Sequence, residues 1–210
     1  SPLDRFDAVG KYIVKHRPDH IVHLGDLMEM KHLYRKTLSS KWTEKTTEEA
    51  LKLAVAEVSH TNKALRKMFH PAHELLIRLK KSKKKPYRPT KSITLGNHDV
   101  RLNTFLDATN LELGLRHKLN LHYFDNVCDY GDNIVIEGIA FTHAGSWGDG
   151  EGPSSLLNRR NYSESMVVGH SHLADCALGR TITGRGMCQL MAGCFMDPEE
   201  LKIIHNYGSS

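Results

Sequence analysis

Cysteine is scarce: four residues in 210, at Cys128, Cys176, Cys188 and Cys194, with no C-x-x-C pair among them. That spacing gives no support to a zinc-cysteine site and predicts reduced, buried thiols in a protein of the cytoplasm. No window approaches the roughly 18 consecutive apolar residues of a membrane span. No charged-then-apolar leader opens the sequence, so no secretion signal is expected. Internal repeats, helix-turn-helix spacing and zinc-finger spacing are all missing, which argues against a repeat array or a familiar DNA-reading module. No linker stands out either. The lysine-rich stretch near residue 80 is the one plausible boundary, and it lies between elements that must pack together. A single domain over 1–210 is expected, with a helical insertion at about 44–85.

What the sequence does have is apolar content, positive charge and histidine. At 40% hydrophobic it can bury a real core. The formal net charge is +5, and there are 14 histidines. Much of the basic excess sits in "RLKKSKKKPYR", residues 78–88. Its Lys80–Lys85 loop can attract a phosphate backbone, or can be a solvated helix end whose cations suit the helix C-terminus.

Period fixes the coarse elements. Phe6, Val9 and Ile13 recur at helical spacing over 4–16, and Pro18 ends that helix. Asp4 and Asp7 read as first-turn carboxylates. "HIVHLGD", 20–26, reads as a short strand ending in Gly25-Asp26. Residues 46–80 are helical, with a capping box at Thr46 and Glu49. Leu51, Ala54, Val55, Val58, Leu65, Met68 and Phe69 form a core stripe that Leu75, Leu76 and Leu79 resume, and Pro71 kinks or splits the run. A strand "SITLGNHD" follows, then a helix over 101–119. Strands are expected at 133–145, 165–172, 177–185 and 188–196, with a Gly-rich loop at 145–155.

Four of these strands end alike, in a tight turn and then metal-competent side chains: Gly25-Asp26, Gly96-Asn97-His98-Asp99, Thr142-His143 and Gly169-His170-Ser171-His172. In an open α/β sheet, ligands gather beyond the carboxyl ends of the strands. A mixed nitrogen and oxygen donor set suits Mn, Fe or Zn better than Ca or Mg. Two such ions about 3.5–4 Å apart clamp a phosphate and acidify a water, which attacks phosphorus in line.

The ordered set G-D, G-N-H-D, T-H and G-H-S-H resembles the calcineurin-like metallophosphoesterase superfamily, over nearly the whole sequence. The resemblance implies an α/β fold: a two-sheet β-sandwich flanked by helices in four layers. It implies a metal-dependent hydrolase of phosphate mono- or diesters with two divalent ions. It assigns Asp26 as a bridging carboxylate, Asn97, His143 and His170 as the other ligands of one ion, and His172 as a ligand of the second. It makes His98 the proton donor to the leaving oxygen and Asp99 its orienting partner. Histidine titrates in the useful range, and a neighbouring carboxylate fixes its ring.

One part of the family pattern is missing. No D-x-H precedes Gly25-Asp26. Either the sequence is a truncated or permuted piece of a longer protein, or one ion keeps four ligands while the other has only Asp26 and His172. The second case describes a single-metal binding module with weak turnover.

Other side chains fall near the constellation. Arg101 can clamp a substrate phosphate or make a surface ion pair. Glu29 and His32 either line the site mouth or are solvated. His23 reads as structural. His60, His70 and His73 are not expected to be ligands. Trp147 stacks on a substrate ring or merely packs its loop. The basic balance tilts the substrate toward nucleic acid or nucleotide, with a protein phosphatase as the alternative. The oligomeric state is not encoded in any pattern recognised above.

Overall fold

The structure, a computed structural model, describes residues 3–33, 44–109, 121–143, 164–172 and 174–195. Helix α1 spans Asp4–His16 and buries Gly10 and Ile13. Arg17 then takes a left-handed φ of 47° and returns its N–H to the Ile13 carbonyl at 2.7 Å, ahead of Pro18. Asp7 pairs with Lys11 one turn on, and Asp4 reaches Lys67 on the next helix.

Strand β1 covers only His20–His23, shorter than the expected 20–26. Gly25 at φ 84° and Asp26 at φ 48° take the chain out of extended geometry. After a short 3-10 turn at Lys31–Leu33, helix α2 runs over Glu44–Lys81. It starts at Glu44, ahead of the Thr46 at which the helix was expected to begin. It also continues through Pro71 as one helix, where a split was an alternative. The ring lies beside Gly10 of α1: a Cβ there would stand 2.5 Å from the Met68 carbonyl oxygen and 3.0 Å from the Pro71 ring. A helix passing at that range needs a residue without a side chain. Most of the stripe is interior, with Ala54, Leu65, Met68 and Leu75 buried, but Val55 is half exposed, contrary to expectation.

Strand β2 is Thr90–Thr94 and helix α3 is Arg101–Thr109. The remainder of the helix expected to 119 lies outside the described residues. A 3-10 turn at Leu121–Tyr123 leads into β3, Asn126–Cys128, a strand the sequence pattern did not reveal. The first sheet is parallel throughout, in order β1-β2-β3. A parallel step from β1 to β2 needs a long crossover, which α2 provides.

The second sheet has five strands: β4 Ile134–Ile136, β5 Ile139–Thr142, β6 Ser165–Val168, β7 Ala174–Arg180 and β8 Gly186–Ala192, in order β4-β5-β6-β8-β7. The run expected as one strand over 133–145 is in fact a hairpin. Glu137 at φ 50° and Gly138 at φ 78° make its two-residue turn. Positive φ at both central positions is the turn whose twist matches antiparallel strands.

The molecule is thus mixed α/β, with three α-helices and sheets of three and five strands among the described residues. One core cluster joins Ile13, Leu65 and Met68 of the first two helices to Ile93 of β2, Leu95 just after it and Phe124 just before β3. A second joins Met28, Met30 and Leu33 of the loop after β1 to Ala50 and Ala54 of α2 and to Leu102, Phe105 and Leu106 of α3. That second cluster fixes the loop carrying Asp26. The thiols are free, as expected, yet none is buried: Cys128 and Cys194 are partly exposed, and Cys176 and Cys188 are exposed. Among the described residues no helix is long and apolar enough to cross a membrane.

Candidate metal centre

The two sheets meet where β1, β2, β5 and β6 end. The Leu24 carbonyl, just past β1, accepts from His143 Nδ1 at 2.5 Å. A Cβ at Gly169 would lie 2.8 Å from that same carbonyl oxygen. Gly169 in turn donates to the Thr142 and His143 carbonyls. Small residues at these corners let three strand ends close on one point.

Four side chains converge there. His143 Nε2 lies 3.0 Å from Asn97 Oδ1, 3.3 Å from Asp26 Oδ2 and 3.2 Å from His170 Nδ1. Asn97 Oδ1 and His170 Nδ1 are 3.1 Å apart. His143 is fully buried, and Asp26, His143 and His170 form a group able to share one ion. The Leu24 carbonyl can only accept, so His143 Nδ1 carries the proton and its Nε2 faces the cluster. Carboxylate, amide and imidazole donors crowded at this range repel one another unless positive charge sits among them. Burial alone would push the Asp26 carboxyl up, but hydrogen bonding to His143 and the charges of His143 and His98 hold it below its ordinary value. Burial likewise opposes the imidazolium of His143, yet the Asp26 carboxylate raises its pKa on balance. The centre therefore draws a proton to itself, or a cation in its place.

The backbone is held in unusual conformations at the same spot. Asp26, His170 and His172 have φ of 48°, 65° and 59°. Non-glycine residues seldom adopt such values, and they cluster where function requires a fixed side chain. Ser171 N–H closes back on the Gly169 carbonyl at 2.8 Å, making a three-residue turn with His170 at its apex.

His98 lies beside this group. Its backbone N–H donates to Asp26 Oδ1 at 3.0 Å, and its Nδ1 is 2.9 Å from Glu29 Oε2. Asp99 meets other partners: it is almost wholly buried and accepts from the Gly96 and Met28 amides at 2.8 and 3.2 Å. Burial, with the Asp26 charge adding to it, raises its carboxyl to about 6 despite those two amides. The carboxylate on the His98 ring is thus Glu29's, while Asp99 anchors the turn and the loop. Arg101 donates to the Glu29 carbonyl at 2.8 Å and lies 3.7 Å from the Glu29 carboxylate. His172 is half-buried and falls outside the ion-sharing group. Burial lowers its pKa, and it senses the charges of Asp26, His98, Glu29 and His170.

Glu57 of α2 carried no sequence signal, being one acid in a helix. It accepts from the Glu29 and Met30 amides at 2.5 and 3.0 Å and approaches His32 at 3.8 Å. The long helix thereby braces the loop that bears Asp26 and Glu29. Glu29 itself was legible only as a carboxylate three positions after Asp26. His23 is structural as expected, its Nδ1 accepting from the Gly25 amide and its ring against Phe124. Trp147 and the Gly-rich loop lie outside the described residues.

No protein-family model matches this chain, and no curated protein or solved structure is significantly similar to it.

Proposed function

We propose that this chain is a metal-dependent phosphoesterase of the calcineurin-like kind, its sheets and helices arranged as that superfamily's four-layer sandwich. The observation that carries the reading is the convergence of Asp26, Asn97, His143 and His170 donor atoms within 3.0–3.3 Å of His143 Nε2 or of one another. Their chemistry fits a divalent ion of the Mn, Fe or Zn type. When bound, such an ion supplies Lewis-acid charge to a phosphoryl oxygen and lowers the pKa of a water. His172 is the proposed contribution to a second ion.

The chain's own groups supply the rest. Glu29 accepts the Nδ1–H of His98, which fixes the ring so that its imidazolium form would give the Nε2 proton to the departing oxygen. Asp26 holds the His98 amide in register. Arg101 stands beside the same carboxylate, so a substrate phosphate would compete with Glu29 for its guanidinium. Substrates in this reading are nucleotides or nucleic acid, drawn by the Lys80–Lys85 stretch, all of it exposed.

A second reading rests on His172 lying outside the ion-sharing group: a single-ion binding module with little turnover. Bound Mn2+, which takes nitrogen and oxygen donors in preference to thiolates, and hydrolysis of bis(p-nitrophenyl) phosphate separate the two. Two ions per chain, with turnover abolished by His98→Ala, support the enzyme. One ion without turnover supports the module, and no ion at all sinks both.

A further inference from the structure

The hairpin of β7 and β8 lies in the second sheet at the edge opposite β4, and it carries a pair of thiols the phosphoesterase reading does not use. Cys176 Sγ and Cys188 Sγ are 3.7 Å apart, across two antiparallel strands and twelve positions of sequence. Both side chains are exposed. Cys176 stands opposite Leu190 and Cys188 opposite Leu178, so the two cysteines are diagonal neighbours on one face. Exposed Leu178 and Leu190 flank them. The backbone beneath is fixed: the Cys188 amide donates to Ser165 Oγ at 3.2 Å and the Cys176 amide to the Asp175 carboxylate at 2.8 Å.

Two outcomes compete for such a pair. A disulfide needs sulfurs about 2.05 Å apart and Cα atoms usually within about 6.8 Å. Diagonal cross-strand residues stand roughly 7–8 Å apart at Cα, so closing that bond would strain the hairpin. A tetrahedral zinc-group ion about 2.3 Å from each sulfur holds two sulfurs roughly 3.8 Å apart. The observed spacing already matches the second outcome. We propose that Cys176 and Cys188 form a two-thiolate clasp for a thiophilic divalent cation of the zinc group, distinct from the Asp26 centre, with solvent completing the coordination.

Binding converts both thiols to thiolates and releases their protons to solvent. The hydrogen bond to Cys188, with burial and the Asp175 charge adding to it, pushes the Cys176 thiol above its ordinary pKa. An entering ion must displace both thiol protons, so affinity rises with pH.

Cadmium tests this directly, because its near-ultraviolet thiolate charge-transfer band reports sulfur ligands and is silent to the nitrogen and oxygen donors around Asp26. Titrating Cd2+ into the reduced full chain is expected to raise the band to saturation with one equivalent bound beyond what the Cys176→Ser variant takes up. Cys176→Ser and Cys188→Ser should each abolish it, while Cys128→Ser and Cys194→Ser leave it intact. No band in the reduced chain, or a band surviving either of the first two substitutions, overturns the site. Saturation with half an equivalent beyond that baseline also overturns it, in favour of an ion shared between two copies. The exposed serine variants are expected to fold normally, which unchanged circular dichroism would verify.

Discussion

Gly96 owes its identity to distance. A Cβ there would fall inside contact range of both the carboxylate and the amide of Asp26. Gly96→Ala should therefore push Asp26 off the other donors. We expect a loss of about 1–3 kcal/mol in chemical unfolding, the usual cost of overpacking, together with loss of divalent-ion binding by calorimetry. Wild-type affinity in that variant would show that Asp26 is not held through this contact. His98 and His143 are separable at the same scale. His98→Ala should keep ion binding and lose hydrolysis, since it touches Asp26 through its amide and Glu29 through its ring. His143→Ala should lose the ion itself, because its Nε2 sits against three other donors. His23 predicts a pH effect. Burial lowers its pKa to about 4 from 6.5, and its Nδ1 must stay unprotonated to accept from Gly25. Its contribution is complete above pH 6.5 and is lost as pH falls from there through 4. The size is on the order of 3 kcal/mol. His23→Asn offers an oxygen in place of Nδ1 without the titration, so its urea midpoint should fall less across that window. Parallel profiles would refute the assignment.

Among the elements, α1 and α2 make the clearest case. Alanine in place of glycine within a helix normally stabilises by about 0.5–1 kcal/mol. Gly10→Ala should do the reverse, lowering the melting temperature, because the new methyl meets the Met68 carbonyl and the Pro71 ring. A raised melting temperature would mean that the helices part easily. Both helices were readable from the period of their apolar residues, and their ends from Pro18 and the lysine cluster. What was not readable has local causes. Strand β3 has three residues, two of them exposed, too few for any period to register. The β4–β5 hairpin hid inside a continuous apolar run whose Glu137-Gly138 turn lacks the Asn or Asp that usually marks such a turn. Pro71 lies within α2 without dividing it, at the point where Gly10 of α1 passes its ring.

For the whole molecule, charge is the property that reaches furthest. The excess of +5 includes an exposed lysine group at the end of α2 and in the loop that follows it. If nucleic acid is the substrate, replacing Lys81, Lys83, Lys84 and Lys85 by Gln should flatten the salt dependence of oligonucleotide binding. Each lost phosphate contact removes roughly 0.9 from the slope of log K against log salt. An unchanged slope would transfer the preference to small phosphate esters. The helix bearing those lysines is also the one whose Glu57 holds the Glu29 and Met30 amides, so it braces the centre as well as extending from it.

Sequence alone determined the types of donor present, their order, and their position at the ends of apolar runs. Those properties are local: a strand must be apolar to be buried, and a turn must admit glycine. Tertiary structure decided the pairings. It gave the His98 ring to Glu29 and left Asp99 with two backbone amides, and it tied Arg101 to Glu29. It aimed His143 through a main-chain carbonyl at Leu24 that no side-chain pattern encodes. It also set two distant cysteines side by side on an open face. Such choices depend on which backbone atoms arrive beside a side chain, and only the packing of the sheets and helices fixes that.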